Sequence, residues 1–156
     1  MKKVPPDSPR TIEGSAAPLT LCTCFKLRRL TRRATQIYDR HLEPVGLRAT
    51  QFSLLGQVYA AGGLAMGALA ERMGMDPSTL TRNLRPLEKA GLVRIAPSQE
   101  DRRVRAVGVT AKGRETFRRA VPKWRAAQEE VDARLGFETR VALNGLLDLS
   151  AARLGS

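Results

Sequence analysis

Acidic residues are scarce in this chain: 15 Asp and Glu stand against 27 Lys and Arg in 156 residues, a formal charge of +12. With a pI near 11.0, that balance disfavours an ordinary cytosolic enzyme. It suits a polyanionic partner, nucleic acid first and an anionic membrane surface second. Histidine is reduced to His41. No phosphate-binding glycine loop or metal-ligand spacing accompanies it, so neither catalysis nor a bound cofactor or metal is expected. A zinc set of Cys22, Cys24 and His41 follows no ligand-spacing rule. The two cysteines rule out a disulfide framework, and neighbours two apart point in different directions. This is the composition of a reduced, cytoplasmic compartment.

A long apolar run is also missing. Ala49 to Ala70 carries no charge, but Gln51, Ser53 and Gln57 interrupt it and Gly62-Gly63 breaks it. Two short amphipathic helices explain the stretch better than a membrane span. Met1-Lys2-Lys3 and the prolines at 5, 6 and 9 leave no apolar signal core. Aromatics reach only 4%, yet a hydrophobic content of 42% can still support one core.

The rest of the chain reads as helices punctuated by glycine. Residues 1–17, rich in Pro and Ser, are expected to form a mobile arm. A helix is expected from Pro18 to Leu42. Its apolar stripe is Leu21, Phe25, Leu27, Leu30, Ala34, Ile37 and Tyr38, and its other side carries Lys26, Arg28, Arg29, Arg32 and Arg33. Further helices are expected over 49–61, capped by Thr50 with Phe52, Leu55, Val58 and Tyr59 inward, and over 66–73, closed by Gly74. Asp76-Pro77 opens the next, an N-cap acceptor followed by proline at the first helical position. That helix runs to about Ala90 and stops at Gly91, with Pro86 expected to kink it or loosen its last turns. Leu92–Ile95 and Val104–Val109 read as strands around a polar loop. Two more helices follow, over 111–135 with Thr110 as cap and over 138–154.

The resulting class is mainly α with a small β-hairpin wing: a winged helix-turn-helix, whose second helix enters the major groove. Leu80, Leu84 and Leu87 share one face of that helix. Ser78, Arg82, Arg85 and Lys89 share the opposite face, flanked by Thr79, Thr81 and Pro86. Arginine can bind guanine O6/N7 in bidentate fashion, while hydroxyls reach phosphates or bases. Mixed-charge surfaces are the usual fate of a charge run, but no acid occurs between Asp76 and Glu88. In the loop, Arg102 and Arg103 stand where an arginine can enter a minor groove, and Asp101 could hold one guanidinium in a bidentate pair.

These residues resemble the MarR family of bacterial regulators. The pattern is Met66-Gly-Ala-Leu-Ala-Glu-Arg-Met73, Asp76-Pro-Ser-Thr-Leu-Thr-Arg-Asn83, Leu87-Glu-Lys-Ala-Gly-Leu-Val93, Asp101-Arg-Arg103 and Val107-Gly-Val-Thr-Ala-Lys-Gly113. The resemblance extends from about Leu21 to the C-terminus. It implies a homodimer joined through residues 18–48 and 114–156, with the DNA-binding domain at 49–113 and a roughly palindromic duplex operator. It maps Arg103 to the wing arginine and Asp101 to its support, although the doubled Arg102-Arg103 leaves either able to insert.

Two modes of response are implied. Leu21-Cys-Thr-Cys24-Phe25-Lys-Leu27 is similar to the branch that senses organic hydroperoxide, with Cys24 as the reactive cysteine and Tyr38 as one supporting tyrosine. A second tyrosine of that branch falls at Ala49. The other mode is a small aromatic or anionic effector, for which Phe25, Arg29, Tyr38, His41, Phe52 and Trp124 are the candidate lining. A winged helix that contacts only protein is the reading from a different class, and the basic set argues against it.

Overall fold

The structure, a computed structural model, describes residues 21–98 and 101–155. The expected arm at 1–17, the first three residues of the expected first helix, and Gln99 and Glu100 lie outside that range. The chain divides after Ala34 into two compact units. The described part of the first is the N-terminal half of α1 (Thr23–Leu42), whose residues up to Arg33 are all exposed. Phe25 and Leu21 leave the expected stripe: at about 100° per residue, Phe25 falls among the arginines, 44% exposed, and Leu21 precedes the helix, 62% exposed.

The second unit contains the rest. After a 3₁₀ turn at Glu43–Val45 come α2 (Ala49–Ala61), β1 (Leu64–Ala65), α3 (Met66–Met73), α4 (Pro77–Lys89), β2 (Val93–Pro97), β3 (Arg105–Val109), α5 (Ala111–Leu135) and α6 (Phe137–Leu154). Leu54, Leu55 and Val58 of α2, Leu69 of α3, and Leu80, Leu84 and Leu87 of α4 meet Leu42, Val93, Val107 and Ala120 in one core. Leu54 is buried where the expected inward set had Tyr59, which is 37% exposed at the outer edge. Burying a leucine is worth about 1.5–3 kcal/mol, so this leucine cluster is what orients the three short helices.

Glycines stop the helices as expected. Gly91, at φ +70°, ends α4: its N–H donates to Glu88 O at 2.9 Å, and Leu92 N–H donates to Leu87 O at 2.9 Å. This is a Schellman closure, with Leu87 and Leu92 both buried beneath it. It leaves the last turn well tied, so α4 continues through Pro86 without the loosening the proline suggested.

Three details depart from the expected elements. Thr50 already has helical backbone, and Arg48 occupies the N-cap of α2. One open N–H there is taken from a distance, Asp39 Oδ1 accepting from Ala49 N–H at 2.7 Å, and one locally, Gln51 Oε1 accepting from Arg48 N–H at 2.8 Å. The hairpin is joined by β1, giving an antiparallel sheet in the order β1-β3-β2, with Leu64 opposite Val107. Finally, β2 extends to Pro97, which is tolerated because β2 is an edge strand.

The first turn of α5 closes against the end of α4. Thr110 Oγ1 accepts from Gly113 N–H at 3.0 Å and donates to Gly91 O at 2.7 Å, while Lys112 Nζ donates to Ala90 O at 2.8 Å. Only glycine fits at 113. A Cβ there would overlap the Leu92 carbonyl oxygen and sit 2.9 Å from both Leu92 C and Val109 Cγ2. Gly113→Ala is therefore expected to destabilise the protein by about 2–4 kcal/mol through overpacking against backbone. Urea unfolding measures this, and a midpoint unchanged from wild type would contradict the packing described.

Candidate nucleic-acid interface

α4 offers one polar face to solvent. Ser78, Thr81, Arg82, Arg85 and Lys89 are exposed and Thr79 is half-buried. The leucines opposite them are at most 1% exposed, so this face cannot rotate inward without emptying the core. Ser78, Thr79, Arg82, Arg85 and Lys89 are thus brought together as the sequence suggested.

The hydroxyls, however, are already engaged. Asp76 Oδ1 accepts from Ser78 Oγ at 2.6 Å and from Thr79 N–H at 2.9 Å, and Asp76 Oδ2 accepts from Thr79 Oγ1 at 2.6 Å. Thr81 Oγ1 donates to Pro77 O at 2.8 Å. Each of these hydroxyls has one proton and has spent it inside the helix, leaving only lone pairs outward. A phosphate oxygen needs a donor, so the donors on this face are Arg82, Arg85 and Lys89. The Ser78 and Thr79 hydrogen bonds hold the Asp76 carboxyl far below its ordinary range.

The wing carries the other cations. Val104 N–H donates to Asp101 O at 2.9 Å and Ser98 N–H to Val104 O at 2.7 Å, so residues 101–104 form the turn at the tip. Asp101 Oδ1 accepts from Arg103 N–H at 2.9 Å. Among the described residues, no guanidinium forms the expected bidentate pair with Asp101. The carboxylate closes its own turn two residues on, a local bond that needs no long side chain to be ordered. Arg102 and Arg103 are both exposed at that tip.

The proposed effector lining is only partly assembled. Phe52 of α2 and Trp124 of α5 flank an open cleft of about 420 Å³, together with Gln57, Phe117, Val121 and Arg125. Phe52 stacks on Phe117 at 5.2 Å and on Trp124 at 5.9 Å between ring centroids, and Tyr59 lies 4.8 Å from Phe117. The sequence reading missed Phe117 and Arg125, because their partner Phe52 lies more than sixty residues away in the chain.

Tyr38 and His41 sit elsewhere. Tyr38 donates its hydroxyl to Gln128 Oε1 at 2.6 Å, and burial, then the Asp132 charge, raises its pKa. His41 Nε2 lies 2.8 Å from Glu130 Oε2, and Arg40 donates to the same carboxylate at 2.6 Å. Arg40, then His41, bring the Glu130 carboxyl down to about 2.

Phe25 and Arg29 belong to the N-terminal unit, where both are exposed. So are Cys22 and Cys24. Among the described residues, no group of three His, Cys, Asp or Glu is placed to hold a metal, and no helix is long and apolar enough to cross a membrane.

The Asp76 cap makes a pH-dependent contribution. A depressed folded pKa stabilises the protein above the carboxyl's ordinary value of 3.8, and that contribution is lost as pH falls toward the folded value. Asp76→Ala should lower the melting temperature at pH 7 by several degrees. The gap to wild type should narrow once pH drops below about 4. Melting curves across that range test this, and a gap independent of pH would contradict the cap.

Comparison with known proteins agrees with this geometry. The profile of the MarR family matches residues 45–104, which hold α2, the α3–α4 pair and the wing tip. The chain is 41% identical to the transcriptional regulator MosR of Mycobacterium tuberculosis, solved in complex with DNA. That match has a TM-score of 0.73 and covers 85% of this chain and 97% of MosR. It is 35% identical over 94 residues to the HTH-type transcriptional repressor Rv2887 of M. tuberculosis, covering 60% of this chain and 68% of the repressor. With the transcriptional activatory protein BadR of Rhodopseudomonas palustris it shares 32% identity over 111 residues, 69% of this chain and 63% of BadR, so that match spans less than two thirds of BadR. A helix-turn-helix with a cationic outer face, a wing tipped by two arginines and these relatives lead to one assignment: the chain belongs to the MarR family of transcriptional regulators.

Proposed function

We propose that the protein is a sequence-specific, duplex-DNA-binding transcriptional regulator that acts as a homodimer, represses, and is released by an effector. The observation that carries this is the outer face of α4. Its leucines fix its orientation, Asp76 accepts the hydroxyl hydrogen bonds of Ser78 and Thr79, and Arg82, Arg85 and Lys89 remain as outward donors. Arginine on a rigid helix suits the O6/N7 edge of guanine, and the wing arginines suit a narrow minor groove. The homodimer is supported by α6, which has no buried residue although Phe137, Leu146 and Leu154 are 72%, 61% and 81% exposed. An apolar helix left this bare calls for a partner surface.

Arg82→Ala is expected to weaken operator binding by about 1–3 kcal/mol and to relax base preference at one position. Arg103→Ala should weaken operator binding more than binding to duplexes without a narrow minor groove, and make the salt dependence shallower by about one unit of slope. Anisotropy titrations at several salt concentrations read both. Unchanged affinity in both variants would favour a winged helix that contacts only protein.

Two release mechanisms fit different observations. Cys24 is exposed in the first turn of α1, where an oxidant can reach its thiol. The stacked cleft of Phe52, Phe117 and Trp124, with Arg125 at its rim, suits a planar aromatic anion. Such a ligand must bind the free and DNA-bound forms unequally to matter. An organic hydroperoxide and an aryl carboxylate, added separately to the operator complex, distinguish the two. Release by peroxide that is lost in Cys24→Ser and kept in Cys22→Ser supports the thiol. Release by the carboxylate alone, with quenching of Trp124, supports the cleft and makes Cys24 structural.

A further inference from the structure

We infer that the cationic face of α1 is a second phosphate-binding surface for duplex DNA, separate from the winged helix; the inference rests on the DNA-binding role proposed above. Lys26, Arg28, Arg29, Arg32 and Arg33 are all exposed, and no acid occurs in the chain between Leu21 and Tyr38. At about 100° per residue the five fall within an arc of about 160°, and they extend over about 10 Å of helix. Leu27, Leu30, Ala34 and Ile37 lie outside that arc.

This arrangement opposes helix stability. The first turn of α1 contains no acid, so Lys26 stands at the positive end of the helix dipole. Arg28 and Arg32, and Arg29 and Arg33, are like charges four residues apart, which disfavours a helix further. Elsewhere in the described residues, Arg40, Arg48, Arg118, Arg134 and Arg140 each meet a carboxylate, whereas none of the ion pairs involves these five. A dense, uncompensated charge kept at a cost in local stability complements a polyanion.

Duplex DNA is the partner that fits. Four of the five are arginine, whose planar fork matches phosphate oxygens. About 10 Å of helix faces about three phosphates of one strand at 3.4 Å of axial rise each. Within residues 26–33 the face carries no acid or amide to read bases, and Gln36 alone follows it on the same side before Asp39, so the binding is chiefly to backbone and independent of sequence.

The test uses the full chain and the variant R28Q/R29Q/R32Q/R33Q, with R28Q/R32Q as a smaller step. Neutralisation removes like-charge repulsion, so neither variant should melt below wild type. Operator affinity is measured against salt on a duplex with long flanks. Separately, protein seated on immobilised operator is offered a labelled duplex that has no operator. Either of two changes is expected: a salt slope shallower by about two to three if the flanks are held, or at least tenfold less captured second duplex. The double variant should fall between. A quadruple variant equal to wild type in both measurements overturns the inference, as does loss of binding only to anionic lipid vesicles. Absence of operator selectivity in the wild type would instead overturn the DNA-binding role on which it rests.

Discussion

The backbone carbonyls of Ala90, Gly91 and Leu92 emerge from the end of α4 and are met at once by the first turn of α5. Lys112 Nζ and Thr110 Oγ1 take two of them, Thr110 N–H takes the third at 3.1 Å, and Gly113 lets the two backbones touch. The end of a helix otherwise leaves such carbonyls to water. Here they tie α4 to α5, the longest helix among the described residues. The Schellman closure at Gly91 and the leucines beneath it complete the anchorage, so α4 is held at its C-terminus, along one face and, through Asp76, at its N-terminus. α4 and α5 are thus joined by hydrogen bonds to backbone carbonyls and by a direct backbone contact.

That anchorage decides which groups on α4 are available. Ser78 and Thr79 direct their protons to Asp76, and Thr81 directs its own to Pro77. What is left outward is a row of cations beside hydroxyl lone pairs, a pattern that offers acceptors to base amino groups and donors to guanine and phosphate. The wing follows the same economy: Asp101 closes its own turn and leaves both neighbouring arginines exposed. In both places a carboxylate organises backbone, and the arginines face outward without a carboxylate partner among the described residues.

Where periodicity and punctuation agree, the sequence was enough. The bounds of α2 and α3 and the start of α5 follow from apolar spacing between Gly62, Gly74 and Thr110, and the polar face of α4 follows from Leu80, Leu84 and Leu87. Features built from distant partners were not legible. β1 is two residues long, too short to show alternation, and exists only because Val107 and Ala106 pair with it. The N-terminus of α2 is satisfied by Asp39 from the preceding helix, which no local capping rule anticipates. The aromatic cleft joins Phe52 to Phe117 and Trp124 across two helices, and only packing reveals it. Asp101 had two uses open to it, and the shorter-range one prevailed.

On the proposed function, this anchored surface recognises a particular duplex. That recognition is tested most directly by titrating the reduced protein against the DNA upstream of its own gene and against a scrambled duplex of equal length, at one fixed salt concentration, by fluorescence anisotropy. Tight binding to the first and much weaker binding to the second are expected. Equal, weak binding to both would contradict that recognition, leaving the cations of α4 and the wing without a sequence to read.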